Sequence, residues 1–221
     1  MVAPARLPAI IKLLDGEYSR RRWQPRLEPV EELVFTILSQ NTTDVNAERS
    51  LASLRAKYPS WEDVARAPVR DIAAAIRSGG LADAKARYIK ETLREILLEH
   101  GDLTLGFLNG MNNREALGYL TRYPGVGIKT ASCVILFALG RPVMPVDTHV
   151  FRVTQRLGFI GTDVGRDPAH GIITAITPDS DIYSFHLNLV AHGRRICKAQ
   201  RPRCQQCVLA RLCPSEIPSI T

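Results

Sequence analysis

Apolar residues recur along most of the chain at the three- and four-residue spacing of one helix face. No segment shows the sustained alternation of a half-buried strand. Segment 29–39 shows the helical spacing clearly, with apolar residues on one side: Val30, Leu33, Val34, Ile37 and Leu38. Similar patterns, separated by glycine, proline and short polar stretches, predict roughly ten helices with short connections. The hydrophobic pattern therefore predicts an all-α fold.

Capping and breaking residues set the expected helix bounds. Thr43 or Asp44 can cap a helix over 45–57, and Ser60 with Asp63 resembles a capping box. The remaining predicted helices cover 68–79, 82–99, a segment from Asn113, 128–139, 148–157, 168–176 and 182–192, with Gly193 after the last. No internal repeat of solenoid length is visible.

Charge points to a polyanionic partner. The chain has 29 lysines and arginines against 22 acidic residues, which gives a net charge of +7. Residues 182–215 contain no acid and six cations: Arg194, Arg195, Lys198, Arg201, Arg203 and Arg211. Such clustering is typical of a surface that contacts a nucleic-acid backbone.

The sequence also bears on compartment. Its start lacks the apolar region of a secretion signal, and the longest apolar run, near 131–139, is too short to span a bilayer. We therefore expect a cytoplasmic protein, associated with the nucleoid if prokaryotic, that has no membrane partner. Since thiols stay reduced there, the five cysteines indicate metal binding or a structural role.

Four cysteines follow the spacing C-x6-C-x2-C-x5-C: Cys197, Cys204, Cys207 and Cys213. Four thiolates this close can bind Zn²⁺ or a [4Fe–4S] cluster, and the spacing alone leaves both open. Lys198, Arg201 and Arg203 lie between the first two cysteines. A bound metal group would hold these cations toward phosphates without doing chemistry itself.

Residues 123–129, Tyr-Pro-Gly-Val-Gly-Ile-Lys, predict a tight turn that opens directly into a helix. The two glycines allow a close backbone approach, and the N–H groups at the start of a helix suit a phosphate oxygen. Lys129 lies in the first turn of this helix, where a cation is electrostatically unfavourable, so its position needs an explanation. Cys133, one turn later, is expected to be a small core thiol. Asp147 follows in Val-Asp-Thr-His-Val-Phe-Arg and can cap the helix 148–157.

The glycine hairpin, the segment around Asp147 and the cysteine spacing together resemble the endonuclease III family of helix-hairpin-helix DNA glycosylases. The similarity runs from about residue 30 to Cys213. It implies two helical lobes, a barrel over 27–141 and a second lobe built from 1–26 and 142–221. It also implies that the cysteines hold a [4Fe–4S] cluster rather than zinc.

The resemblance further implies a bifunctional DNA glycosylase and apurinic/apyrimidinic (AP) lyase of base excision repair. Such an enzyme, expected to be a monomer, removes damaged bases, often oxidised pyrimidines, from double-stranded DNA and cleaves the strand at the abasic site by β-elimination. Lys129 matches the family nucleophile and Asp147 its catalytic carboxylate. The family match implies DNA contacts at the hairpin and at the two segments that enter the duplex. Together with residues near Asp147 and between the first two cysteines, the expected DNA contacts are Gln40, Asn41, Leu81, Gly125, Val126, Gly127, His149, Arg152, Lys198, Arg201 and Arg203.

Several alternatives remain at this point. A structural role for His149 and a solvated position for Arg152 compete with DNA contact, and His186 and His192 are expected to pack in the core. A mismatch glycosylase of the same superfamily is a second candidate. An adenine-removing enzyme of this superfamily needs a catalytic carboxylate on the helix before the loop at 39–44, and residues 33–39 contain none. Thymine-mismatch relatives often lack the lysine that is present here as Lys129. Both alternatives are therefore disfavoured.

A noncatalytic DNA-binding iron–sulfur module is a third candidate, disfavoured by the presence of both Lys129 and Asp147. Two departures from the family pattern bear on the preferred lesion. Gln40 and Asn41 occupy a region where a single glutamine is common, and Tyr123 stands where leucine is common.

Overall fold

The computed structural model describes residues 4–215, and over that range it contains helices and loops but no β-strand. The prediction of an all-α fold is confirmed. The α-helices are α1 Leu7–Tyr18, α2 Pro29–Leu38, α3 Asp44–Lys57, α4 Trp61–Arg66, α5 Val69–Ala75, α6 Ala82–His100, α7 Asn113–Leu120, α8 Ile128–Cys133, α9 Thr148–Arg156, α10 Arg166–Ile176 and α11 Ile182–Arg195. Short 3-10 turns cover Pro4–Arg6, Arg77–Gly79, Gly106–Gly110, Cys204–Gln206 and Ala210–Leu212.

The chain divides into two compact units. One, the continuous unit, is Pro25–Leu139 and contains α2 to α8. The other, the two-segment unit, combines residues up to Gln24 with residues from Gly140 onward and contains α1 and α9 to α11. The lobe expected over 27–141 has bounds two residues from those of the continuous unit. None of the helices within residues 4–215 is long and apolar enough to cross a membrane.

In the continuous unit, α2 packs against α3, α6 and α8. Pro29 occupies its first turn, where no backbone donor is lost, and eight of its ten residues are buried. The expected caps are present, since Thr43 Oγ1 accepts a hydrogen bond from Asn46 N at 3.3 Å and Ser60 and Asp63 form a capping box. Local sequence signals thus fix how the chain enters these helices.

In the two-segment unit, α1 packs against α11, and α11 packs against α9. Helix α1 was not predicted, although its buried residues follow helical spacing: Leu7, Ile10, Ile11, Leu14 and Tyr18. The prediction that Gly193 ends α11 is wrong, because the helix continues to Arg195. A Cβ at Gly193 would lie 2.8 Å from His149 Cβ, so this glycine permits the close approach of α9.

Three other predicted helices differ from the structure by more than a single terminal residue. The expected helix 128–139 is α8 followed by a π-helical turn, Val134–Ala138, in which Leu139 N donates to Val134 O at 3.3 Å. The expected helix 68–79 is α5, which begins after Pro68 and ends at Ala75, followed by a 3-10 turn over Arg77–Gly79. Helix α10 begins at Arg166, two residues before the expected start.

Candidate active site and cysteine loop

The turn between α7 and α8 is fixed by its glycines and by one backbone hydrogen bond. Gly125 has φ +74°, and a Cβ there would lie 2.4 Å from Tyr88 Cδ2. Val126 N donates to Tyr123 O at 3.0 Å, and the Val126 side chain is buried. Gly125 and Val126 therefore determine the shape of the turn.

Gly127 is different, because nothing in the described chain requires a glycine there. Its φ of −85° is accessible to any residue, and an added Cβ would meet no atom within 4 Å. Gly127 is exposed at the N-cap of α8. An alanine at this position would therefore not clash with the protein.

Lys129 is half-buried in the first turn of α8. It forms a side-chain hydrogen bond with Cys133, one turn further along. Cys133 is buried, as expected, and burial raises the pKa of its thiol, so the thiol is neutral at neutral pH. This partner of Lys129 is therefore uncharged.

A buried carboxylate on α2 was missed by sequence reasoning. Glu32 is fully buried and accepts a hydrogen bond from Arg26 Nε at 2.8 Å and one from Thr36 Oγ1 at 3.1 Å. The Arg26 guanidinium lies over the rings of Phe35 and Phe137, at 4.7 and 4.5 Å from their centroids. An acid inside a hydrophobic run was the available signal. Because Glu32 is held by this ion pair, its role here is structural.

The loop after α2 is tied to the turn. Gln40 Nε2 donates to Gly125 O at 2.8 Å and to Thr130 Oγ1 at 3.3 Å. Asn41 is exposed and has φ +52°. Gln40 therefore supports the turn through these two hydrogen bonds, whereas Asn41 is exposed on the loop.

The turn before α6 presents an exposed apolar side chain. Leu81 has φ +51° and is 60% exposed, and Gly80 before it has φ +68°. The left-handed region is costly for a leucine. An exposed, strained leucine at the start of a helix is therefore a candidate contact residue.

Asp147 caps α9. Its Oδ1 accepts hydrogen bonds from His149 N at 2.8 Å and Val150 N at 2.7 Å. Oδ2 has no hydrogen-bond partner within residues 4–215. Capping therefore uses one carboxylate oxygen and leaves the other available.

Two buried histidines hold the segment before Asp147. His186 Nδ1 donates to Pro145 O at 3.0 Å. His170 Nδ1 lies 3.0 Å from Met144 O and 3.2 Å from Val146 N. The expected structural role of His186 agrees with this contact, while His170 was not singled out from the sequence.

Arg152 connects α9 to neighbouring backbone. Its Nε donates to Cys197 O at 2.9 Å and its Nη2 to Gly193 O at 2.8 Å. His149 Nδ1 lies 3.1 Å from Arg152 Nη2. Both side chains are thus engaged within the two-segment unit, and Arg152 does not lie on a solvated face.

The four cysteines line one cavity with a volume of about 190 Å³. Since a water molecule needs roughly 10–15 Å³ by the same measure, a polyatomic group fits. Within the described chain, no three His, Cys, Asp or Glu side chains are arranged to hold a single metal ion. Burial raises the pKa of Cys204 and Cys207, and the neighbouring thiolates raise it further. Four sulfurs around such a cavity fit a bridged cluster of metal ions.

The first residues of the cysteine loop, residues 197–213, are held by an arginine of α9 that was not singled out from the sequence. Arg156 Nη1 donates to Cys197 Sγ at 3.3 Å and to Lys198 O at 2.7 Å, and its Nη2 donates to Ala199 O at 3.1 Å. Three of the four cations in this loop lie between its first two cysteines, and all three are exposed: Lys198, Arg201 and Arg203. His192, buried as expected, lies with Nε2 3.5 Å from Cys207 Sγ.

Comparison with known proteins defines the class. Residues 34–172 match the model of the HhH-GPD superfamily of base excision DNA repair proteins. Residues 197–213 match the iron–sulfur binding domain of endonuclease III. The chain is 34% identical to endonuclease III of Escherichia coli and 31% identical to that of Thermotoga maritima. Each alignment covers 84% of this chain and 83% of the relative. The chain belongs to the endonuclease III family.

Other comparisons agree with this assignment. The chain is 40% identical to a protein of Arabidopsis thaliana named as a putative DNA glycosylase, over 76% of the chain and 57% of that protein. A non-covalent endonuclease III–DNA complex has a TM-score of 0.81 and 31% identity, over 97% of this chain and 96% of the other. The predicted enzyme class, a DNA glycosylase with AP lyase activity that binds an iron–sulfur cluster, is confirmed.

Proposed function

We propose that Lys129 is the nucleophile that removes a damaged base from duplex DNA, and that Asp147 is the catalytic carboxylate. The neutral amine attacks C1′ of the extruded nucleotide, the base leaves, and a Schiff base forms. Loss of a proton from C2′ then expels the 3′ phosphate by β-elimination. The observation that carries the proposal is the position of Lys129 directly after the glycine turn, beside the neutral thiol of Cys133. A similar solved structure, a trapped endonuclease III–DNA covalent intermediate, supports covalent chemistry.

Asp147 supplies charge and a place for a proton. Its Oδ1 is fixed by two backbone N–H groups, so the orientation of the carboxylate is set before substrate binds. Oδ2 then accepts or returns a proton, or stabilises positive charge that develops on the sugar. A preorganised carboxylate of this kind loses little free energy to reorganisation during the reaction.

The protein binds DNA through its phosphates and through side chains that fill the space left by the extruded nucleotide. The N–H groups around Gly127 at the start of α8 face a phosphate, which accounts for a glycine that packing does not require. Leu81 and Asn41 enter the duplex where the nucleotide has left the stack. Lys198, Arg201 and Arg203 add contacts to the backbone. His149 and Arg152 support the start of the cysteine loop within the two-segment unit, where Arg152 donates to Cys197 O.

The cysteine loop holds a [4Fe–4S] cluster, with zinc as the alternative ligand. When bound, the cluster crosslinks four thiolates and so fixes the loop, and it takes no part in base removal. Brown protein with absorbance near about 400 nm and iron in the expected amount would support the cluster. Colourless protein, prepared without oxygen and containing stoichiometric zinc, would contradict it.

The preferred damage is an oxidised pyrimidine, and the protein acts as a monomer in the cytoplasm with chromosomal DNA. A panel of duplexes, each with one lesion or mismatch, tests this preference directly. Faster processing of a normal base in a mismatch than of any oxidised base would favour the mismatch glycosylase instead.

Borohydride trapping on abasic-site DNA tests the nucleophile. The wild-type protein is expected to form a covalent adduct that Lys129→Gln does not form, because only a Schiff base is reduced to a stable amine. Lys90→Gln is a matched control, since Lys90 lies on α6 and its Nζ donates to the Ala67 carbonyl at 2.6 Å rather than to the glycine turn. Equal trapping by Lys129→Gln and wild type would identify another nucleophile. No trapping by wild type would favour the noncatalytic module.

A further inference from the structure

Lys85 is a buried cation without a counter-charge. It is 2% exposed, and its Nζ donates to Leu38 O at 2.7 Å and to Gly79 O at 2.8 Å. No carboxylate forms an ion pair with it in the described part of the chain, and burial lowers its pKa. It also lies in the first turn of α6, where the helix dipole disfavours a cation. Burying such a charge costs free energy, so its retention needs a reason.

The two carbonyls that bind Lys85 precede the two segments expected to enter DNA. Leu38 is the last residue of α2, followed by the loop that carries Asn41. Gly79 ends a 3-10 turn, followed by Gly80 and Leu81. One ammonium group therefore joins the bases of both segments, although they lie some forty residues apart in sequence.

Both segments carry strain at the tip. Asn41 has φ +52° and Leu81 has φ +51°, and residues in this region stay there only when surrounding structure holds them. Ser50 fixes the second segment from another side, because its Oγ donates to Ile76 O at 3.3 Å. A Cβ at Gly79 would lie 2.8 Å from Ser50 Oγ. Lys85 connects this segment to the start of the Asn41 loop through its bonds to Gly79 O and Leu38 O.

We propose that Lys85 is a positioning residue whose ammonium group sets the separation between the Asn41 loop and the Leu81 turn. The two tips then enter the duplex together and fill the space left by the extruded nucleotide. This inference rests on the proposed function, because it requires both segments to contact DNA. An ammonium group suits the role, since its three N–H donors radiate from one atom and reach carbonyls on separate segments.

The test compares trapping rates on two forms of one abasic strand, duplex and single-stranded. Lys85→Met removes the donors and keeps an unbranched side chain of similar length. We expect trapping on the duplex to slow at least about tenfold, because both charge-assisted hydrogen bonds of Lys85 are lost, and trapping on the single strand to change less than about twofold. The single strand needs no space filled after extrusion. Lys90→Met, which removes another lysine–carbonyl bond of α6, should slow neither reaction.

A double-mutant cycle adds a readout that a general loss of stability would not produce. If Lys85 acts through the Leu81 turn, Lys85→Met should slow duplex trapping in wild type but hardly at all in Leu81→Ala. Additive losses, equal slowing on both DNA forms, or an unchanged duplex rate would overturn the inference. If Lys85→Met does not fold, Lys85→Gln replaces it in both assays. Failure of the proposed function is distinct, because wild type itself would then trap neither DNA form.

Discussion

The segments of the continuous unit that carry Lys129 and the cysteine loop of the two-segment unit reach defined geometry by different means. Around the first, α2 buries eight of its ten residues. In the cysteine loop only Leu209 is buried, and Arg156 holds the first residues by hydrogen bonds. Packing therefore fixes one region, while the other depends on the group that its thiolates bind.

The strained positions make the same contrast. Asn41 follows the buried helix α2 and Leu81 precedes α6. Lys85 binds the backbone carbonyls of Leu38 and Gly79, which precede these two residues. Arg201, with φ +47°, belongs to a loop with almost no core of its own. A metal cluster can replace a hydrophobic core where a short segment must present cations at fixed positions.

The largest expected effect concerns whether the two-segment unit contributes chemistry or only a scaffold. Asn caps helices about as well as Asp, so Asp147→Asn should keep the hydrogen bonds to His149 N and Val150 N. Loss of the carboxylate should slow base excision about a thousandfold, the combined scale of proton transfer and electrostatic stabilisation. Single-turnover kinetics measures this, with urea unfolding as the control. A rate within about tenfold of wild type would reduce Asp147 to a helix cap.

The two glycines of the turn separate packing from DNA contact within the continuous unit. Gly125→Ala places a Cβ in the left-handed region and against Tyr88, and should cost about 3 kcal/mol of unfolding free energy. Gly127→Ala meets no atom and should change stability by less than about 0.5 kcal/mol. It should nevertheless weaken DNA binding, because its Cβ occupies the phosphate position.

Urea unfolding and fluorescence anisotropy on one duplex measure both quantities for both variants. Unchanged affinity for DNA in Gly127→Ala would contradict the proposal that a phosphate binds at the start of α8. Equal destabilisation by the two substitutions would show that the turn depends on both glycines for its shape.

The cysteine loop should respond to loss of its metal group without a change in the continuous unit. Cys204→Ser removes one of four thiolates, so Lys198, Arg201 and Arg203 should lose their fixed positions. Affinity for duplex DNA should fall about tenfold, with a smaller salt dependence. Trypsin should cleave the loop faster, while cleavage within 25–139 should not change. The variant with alanine at Lys198, Arg201 and Arg203 is the matched control and should lose similar affinity. Full affinity in iron-free Cys204→Ser would contradict a positioning role.

Local features could be predicted from the sequence where the residues that form them are neighbours in the chain. The turn before α8, the cap at Asp147 and the cysteine spacing are local patterns, and each points to its chemistry. Gly193 shows the limit, since a glycine that ends a helix and a glycine that admits a neighbouring helix look the same in sequence. Its contact with His149 depends on how α9 and α11 pack.

Hydrogen bonds between residues far apart in sequence left no recognisable pattern in the sequence. Gln40 binds the carbonyl of Gly125, 85 residues away, and Lys85 binds that of Leu38, 47 residues away. Backbone carbonyls are the same at every position, so no residue type marks the partner. Arg156 was missed for the same reason. The helix α1 differs, because its apolar stripe was present in the sequence and was overlooked.

The smallest expected effect tests whether a surface network also steadies the turn. Tyr123, where the turn begins, donates its hydroxyl to Tyr119 Oη at 2.9 Å, and Tyr119 donates to Glu99. That hydrogen bond, aided by the positive charge of Arg122, lowers the pKa of Glu99 below its ordinary value of 4.5. A lowered carboxylate pKa stabilises the fold above about pH 4.5, and this stabilisation disappears as pH falls through the folded-state pKa.

Tyr119→Phe should therefore be slightly less stable than wild type at neutral pH, and the difference should shrink below about pH 4.5. The effect should be well below that of Gly125→Ala, because exposed charges are screened by water. Urea unfolding between about pH 3 and 7 measures it, with Tyr58→Phe as a control that removes a hydroxyl not bonded to Glu99. A difference that grows in acid would mean that Tyr119 stabilises protonated Glu99. An effect as large as that of Gly125→Ala would mean that the turn depends on its surface network as much as on packing.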